Sequence, residues 1–393
     1  MKLENTHNFY MPETNLAGVG CIKDLPNVLM PLKLAKALIV TDKNIISLGY
    51  VENVEKMLKA LFISYDIFDG ILHSNPTVSF VEDGLNYFPS KLNPLQRDYD
   101  FIISVGGGTA HDTAKAIATV AINGGSIIDY EGWNKVTKPI LPTICINTTA
   151  GSGAEVTMFC VITDNTRKVK MIMGSPMMIP AVSVNDPMFM ASMPKELTAG
   201  VGIDVITHAI ESYITTETSP ITDALAMDAL KIAVEYLPRA YQNGNDLEAR
   251  EKMMFASMMA GMTLNNAGLG LVHSMAHQLG GFYNEYHGNY DAILLPAVFD
   301  FNAVSIPEER IDRIAEAMGI RPSDSIPQTV DRIIAFLEQL RSDLGMPDDL
   351  SEMGVHEEDI GQMSRNALKD LTAFVNPRQA SAEDVTSLFN AVM

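Results

Sequence analysis

From about residue 34 to 185, short apolar runs rich in β-branched residues alternate with stretches whose apolar positions recur at helical spacing. The segments AKALIVTD, SYDIF, FIISV and PTICIN read as strands, and helices are predicted over 50–62, 77–90 and 109–122 between them. A strand that returns to its sheet through a helix comes back parallel, and the helix covers one face. This rhythm predicts a Rossmann-like α/β unit with a mainly parallel sheet, helices on both faces and ligands at the carboxyl ends of the strands.

Past Asp186 and Pro187 the strand signals stop, and patterns typical of helices follow. Ser219 and Pro220 form a cap and first turn for a helix that Pro238 is expected to end. Val330, Ile333, Ile334, Leu337 and Leu340 make an apolar stripe closed by Gly345 and Pro347. A chain of 393 residues exceeds one ordinary core. The division expected is therefore an α/β N-terminal domain over 1–186 and an all-helical C-terminal domain over 187–393.

Composition narrows the functional classes. With 47% hydrophobic and 19% charged residues the chain is globular rather than disordered. The N-terminal segment MKLENTHNFYMPET lacks the apolar stretch of a signal peptide, and no run is long enough to span a bilayer; a cytoplasmic protein with no membrane partner is expected. Cys21, Cys145 and Cys160 follow no CxxC spacing and read as buried thiols. The 24 methionines read as fillers of irregular core gaps, or as the lining of an adaptable pocket. A net charge of −20 repels a phosphate backbone, so nucleic acid is not an expected partner. An anionic ligand must instead be held by helix N-termini and backbone N–H groups.

One such device follows FIISV, where Gly106, Gly107 and Gly108 lead into a helix opened by Thr109. Glycines let the backbone approach an anion, and the first helical turn offers free N–H groups; the same residues also suit a plain tight turn. A second loop of small residues, Thr148 to Gly153, follows PTICIN. Asp42 ends an earlier strand, where a carboxylate either accepts ribose hydroxyls and repels a 2′-phosphate, favouring NAD over NADP, or caps the next helix.

The helical half carries a different chemistry. Asp204 and His208 stand four apart, as do His273 and His277, so each pair shares a helix face; His287 follows in a polar loop. One carboxylate and three imidazoles suit Fe²⁺, Zn²⁺ or Mn²⁺ better than Ca²⁺. No HExxH pattern is present to suggest hydrolysis. His7, His73 and His356 read as surface or packing residues, and His111 adjoins the glycine loop. A nucleotide site facing a metal across a cleft suits hydride transfer to or from a carbon whose oxygen the metal polarises. His277 is then free to relay a proton or to pack on the nicotinamide.

At these residues the chain resembles the iron-dependent, group III alcohol dehydrogenases over nearly its whole length, and most of all their methanol and 1,3-propanediol dehydrogenase branch. The resemblance implies a dehydroquinate-synthase-like architecture, with Asp204, His208, His273 and His287 as metal ligands and His277 as a further active-site histidine. It implies that Asp42, Gly107, Gly108, Thr109, Thr148, Thr149 and Lys170 touch NAD(H), and that subunits form homodimers or larger assemblies. Fe²⁺ is the metal it favours.

Two features depart from the family pattern. Asn289, Tyr290 and Asp291 follow His287 and Gly288 where a Val/Cys/Asn type of sequence is usual, and this extra carboxylate is expected to alter metal choice or disfavour anionic substrates. Thr109 replaces the commoner serine but keeps the hydroxyl. Met158, Phe159, Phe282 and Tyr283 are candidates for an apolar wall admitting short chains. Ethanol, 1-propanol, 1,3-propanediol, lactaldehyde and sulfoacetaldehyde all remain candidate substrates or products. The competing readings are a glycerol-dehydrogenase-like enzyme, a dehydroquinate-synthase-like cyclase and a non-catalytic nucleotide-binding assembly protein.

Overall fold

Two β-sheets occupy the first half of the chain in the computed structural model, which describes residues 6–89, 98–283 and 285–393. Residues 1–5 of the N-terminal segment and the last residue of the helix expected over 77–90 lie outside the described residues. The strands are β1 (Thr14–Ala17), β2 (Lys36–Asp42), β3 (Ser64–Ile71), β4 (Phe101–Gly106), β5 (Gly132–Trp133), β6 (Thr143–Asn147), β7 (Phe159–Asp164), β8 (Val169–Gly174) and β9 (Val182–Asn185). Among them run helices α1 (Leu25–Leu29), α2 (Lys43–Ser47), α3 (Tyr50–Ala60), α4 (Val78–Leu85) and α5 (Gly108–Asn123).

Six strands in the order β1-β9-β6-β4-β2-β3 form one sheet in which every neighbouring pair is parallel. Side chains alternate across it. Ala37, Ile39, Ile103 and Ile144 pack with Val51, Val54 and Leu58 of α3 on one face. Leu38, Val40 and Ile102 pack with Phe80 and Val81 of α4 and Ile117 of α5 on the other. Both faces are covered, so the strands read as near-continuous apolar runs. Truncating one such isoleucine to alanine costs on the order of 2–5 kcal/mol.

The rest of the sheet structure departs from expectation. β1 adds an edge strand beside β9, and β5, β8 and β7 form a second sheet in which β7 and β8 are antiparallel. Lys168 turns that hairpin with φ of 54°. Neither these strands nor β9 was read from the sequence, because β1, β5 and β9 span only two to four residues and the six-residue β7 and β8 do not reveal which strand they will pair with.

From Lys195 onward only helices follow among the described residues: α6 (Lys195–Ile214), α7 (Pro220–Gln242), α8 (Leu247–Ala267), α9 (Leu271–Tyr283), α10 (His287–Ala303), α11 (Glu308–Ala317), α12 (Ile326–Asp343), α13 (Glu357–Ala367) and α14 (Ala382–Ala391), with short 3₁₀ turns. Sixteen of the twenty residues of α6 are buried, which makes it the central helix, packed by α7, α8 and α10. Two expectations are corrected here. α7 begins at the Ser219 cap but runs through Pro238 to Gln242, since proline forfeits one backbone bond while Leu237 and Ala240 stay buried. His287 sits not in a loop but at the first position of α10. α12 does end before Gly345, whose φ is 63°. The three cysteines are buried and unpaired, and no described helix is long and apolar enough to cross a membrane.

Candidate active site

The glycine loop after β4 is tight for a physical reason. A Cβ on Gly107 would lie 2.8 Å from Thr149 Cγ2, and one on Gly108 would lie 2.6 Å from Ser152 Oγ. The loops after β4 and β6 therefore pack directly on each other, with Thr148 N bonded to Gly106 O at 3.0 Å. Gly107 is the N-cap of α5, and no side chain caps that end. Gly107, Gly108, Thr109 and Ala110 line the cleft, so the start of this helix borders it.

A second close approach anchors this wall to the helices. A Cβ on Gly153 would lie 2.5 Å from Gly261 Cα in α8, so two glycines touch where a side chain on either would wedge the elements apart.

On the helical side, α6 presents Asp204, His208 and Glu211 along one face. α9 brings His273 and His277, and α10 brings His287 and Asp291. The approach of α10 to α6 depends on glycine, because a Cβ on Gly288 would lie 2.0 Å from the carbonyl oxygen of Gly200.

The resulting donors converge. His208 Nε2 is 3.1 Å and His273 Nε2 3.5 Å from Asp204 Oδ1. The rings of His208 and His273 stack at 4.7 Å, and that of His287 lies 5.2 Å from His273. One donor atom each from Asp204, His273, His287 and Asp291 lie within 4.8 Å of one another. Ligands at ~2.1 Å from one ion lie at most about 4.2 Å apart, so a small contraction seats a divalent metal.

The partners of these groups also fit a metal. Among the described residues Asp204 Oδ1, His273 Nε2 and both Asp291 oxygens are buried without a hydrogen-bond partner. Such orphaned groups, aimed at a common point, are costly unless a cation meets them. Burial pushes His208 down to about 4 despite Asp204, and burial with nearby Lys170 holds His287 well below the usual histidine range. Both are neutral donors. Burial opposes charge on His273 too, but Asp291, Asp204 and Glu211 outweigh it and raise its pKa well above normal.

Two residues absent from the sequence reading hold the histidines. Glu211 Oε2 lies 2.6 Å from His273 Nδ1, and its carboxylate also accepts from the backbone N–H of Val272 and His273. Nδ1–H therefore points to Glu211 and Nε2 to Asp204. Asp370 does the same for His277, with Oδ2 2.9 Å from Nδ1. Glu211 was legible as the next residue on the Asp204–His208 face; Asp370, in a distant turn, was not.

All twelve expected site residues line one cleft of about 860 Å³: Asp42, Gly107, Gly108, Thr109, Thr148, Thr149 and Lys170 on the sheet side, and Asp204, His208, His273, His277 and His287 on the helical side. Asp42 caps α2, its Oδ1 accepting from Asn44 N at 2.8 Å and Ile45 N at 3.0 Å, and also stands at the cleft. The Thr109 hydroxyl donates to the Ser74 carbonyl, so its side chain braces a neighbouring loop. Burial pushes Lys170 down to about 8, although Asp291, Asp204 and Asp112 pull upward.

Of the four residues expected to form an apolar wall, only Phe159 lines the cleft. Met158 is buried with its N–H bonded to Asn265, Phe282 lies beneath Lys168, and the Tyr283 hydroxyl is taken by Asp359. Leu264 and Leu269 are among the apolar residues that line the cleft instead. His111 is buried away from the cleft, its Nδ1 2.7 Å from Ser104 Oγ. His73 packs on Phe80 at the cleft rim.

Residues 12–187 match the family model for iron-containing alcohol dehydrogenase, and residues 198–393 match the model for the C-terminal part of the Fe-containing alcohol dehydrogenase family. The chain is 41% identical to the NAD-dependent methanol dehydrogenase of Bacillus methanolicus, over 97% of this chain and 98% of that protein. It is 40% identical to the 1,3-propanediol dehydrogenase of Klebsiella pneumoniae, over 97% of each. A solved 1,3-propanediol oxidoreductase superposes with a TM-score of 0.93 at 38% identity, covering 99% of this chain and 100% of that one.

Proposed function

The chain belongs to the iron-containing alcohol dehydrogenase family, and on that premise we propose that it moves a hydride between NAD(H) and a short-chain primary alcohol, diol or functionalised aldehyde. The supporting observation is that the glycine loops and the imidazole cluster line one and the same cleft. When bound, the metal supplies Lewis acidity toward the substrate oxygen and the nicotinamide supplies or accepts the hydride.

The chain's own residues do the rest. Asp204, His208, His273 and His287 would hold the metal, Fe²⁺ in preference to Zn²⁺ or Mn²⁺, and Glu211 orients His273 so that its Nε2 faces Asp204. The loops at Gly107, Gly108, Thr148 and Thr149 admit the dinucleotide backbone, with Thr109 contributing through its N–H and Lys170 through its charge. Asp42 takes the ribose hydroxyls with the cap intact and selects NAD over NADP.

His277 Nδ1–H donates to Asp370, which leaves Nε2 to take or return the alcohol proton. Phe159, Leu264 and Leu269 exclude water and suit a short carbon chain. The abundant carboxylates and the −20 charge favour uncharged substrates over anionic ones such as sulfoacetaldehyde. The chain divides at residues 186 and 187 into dinucleotide-binding and metal-binding domains, and assembles as a homodimer or larger homo-oligomer.

The decisive experiment is NADH oxidation by metal-stripped protein, repeated after adding Fe²⁺, Zn²⁺ or Mn²⁺, against a panel of short aldehydes. Rescue by one metal with one best aldehyde is the expected result. Turnover that proceeds equally in metal-free protein overturns the mechanism.

A further inference from the structure

Asp291 stands one turn beyond His287 on α10, as His208 stands one turn beyond Asp204 on α6, so two carboxylate–imidazole pairs at i,i+4 spacing meet across the centre. Asp291 is fully buried, with Oδ2 3.6 Å from His287 Nε2 and neither oxygen hydrogen-bonded among the described residues. It adds no surface to the cleft and so is not placed to touch substrate. Two carboxylates buried this close to one another repel when both are ionised, and a cation between them relieves that repulsion.

We propose that Asp291 is a fifth protein ligand of the metal, so that two carboxylates and three imidazoles surround it. The proposal rests on the metal-site reading above. A divalent ion held by Asp204 and neutral histidines carries a net charge of +1, and Asp291 brings it to zero. An oxygen-richer, higher-coordinate set favours Fe²⁺ and Mn²⁺ over Zn²⁺, which prefers four nitrogen or sulfur donors. Neutralising the ion also weakens its pull on the substrate oxygen, which places more of the proton transfer on His277.

The test compares wild type, D291N and D204A by equilibrium dialysis with Mn²⁺ and Zn²⁺, and by the visible spectrum of the Co²⁺ form, with circular dichroism to verify folding. D291N is expected to bind Mn²⁺ at least ten-fold more weakly and to shift preference toward Zn²⁺, with more intense Co²⁺ bands as coordination number falls. D291S serves if D291N does not fold. Wild-type affinity, selectivity and spectrum in D291N, with metal lost in D204A, overturn the proposal and leave the four-ligand site standing. No metal bound by the wild type overturns both. A crystal structure of the wild-type Mn²⁺ complex with Asp291 beyond bonding distance overturns the proposal without any variant.

Discussion

His277 Nδ1 and Asp370 Oδ2 lie 2.9 Å apart, although 93 positions separate the two residues in the chain. Asp370 is itself held, its Oδ1 accepting from the backbone N–H of Thr372 at 2.9 Å and from the Thr372 hydroxyl at 2.8 Å. The imidazole thus has one orientation and one tautomer, with Nε2 toward the cleft. D370N is expected to lower kcat by roughly 10- to 100-fold, a fraction of what acid–base catalysis contributes, while metal content and NADH affinity stay near wild type. Steady-state kinetics across pH checks this; an unchanged kcat and pH profile would remove Asp370 from the proton path.

Glu211 holds His273 as Asp370 holds His277, but the group it positions is one we propose as a metal ligand. E211Q keeps the shape and loses the charge that fixes Nδ1–H. Its expected effect is a loss of metal affinity of about 10- to 100-fold. Titration with a competing chelator measures it, and wild-type affinity would mean that the His273 ring is held by packing alone.

Gly288 lets α10 reach α6. G288A drives a methyl group into the Gly200 carbonyl, separating His287 from Asp204. Stability of the metal-free protein should fall by about 1–3 kcal/mol, with metal binding weakened as well. Thermal denaturation and metal analysis read the two effects; a stable variant with full metal content would show that the helices can shift without cost.

Lys170 gives the protein a pH signature. Its pKa in the fold is pushed down to about 8 by burial, against roughly 10.4 in an unfolded chain. Between these values the unfolded chain binds more protons, so this residue makes the metal- and cofactor-free protein more stable as pH rises. Below pH 8 the buried charge is a destabilising load on the order of 1–3 kcal/mol. K170M should therefore be the more stable protein at pH 7, with the gap closing toward pH 10. NADH affinity of the wild type should fall above pH 8 as the charge is lost. Denaturant melts and fluorescence titrations at several pH values test both; a gap independent of pH would contradict the assignment.

Asp42 is predicted to do two things that substitution can separate. D42N keeps a side-chain oxygen for the Asn44 and Ile45 N–H groups but loses the charge, so it should relax discrimination against NADP with little loss of stability. D42A should lose both the discrimination and about 1 kcal/mol. Comparing kcat/KM for NADH and NADPH with melting data decides it, and unchanged cofactor preference in D42N would assign Asp42 to capping only.

What was readable in the sequence is what local rules govern. Period-two and period-3.6 patterns located four strands of the parallel sheet, β2, β3, β4 and β6, and the helices α3, α5 and α12, because burial on a regular element repeats with its geometry. The i,i+4 pairs Asp204/His208 and His273/His277 announced two donor faces for the same reason. Pro238 and Pro296, by contrast, sit inside helices that packing carries past them, and β1 and the β7–β8 hairpin are too short for their pairing to be inferred. The amino-acid order by itself determined which residue types were available for a dinucleotide and a metal, and on which elements. Only the tertiary structure decided that they share one cleft, that Glu211 and Asp370 orient the histidines, and that Asp291 faces the same point as Asp204, since these depend on close approaches such as Gly200 to Gly288 between segments far apart in the chain.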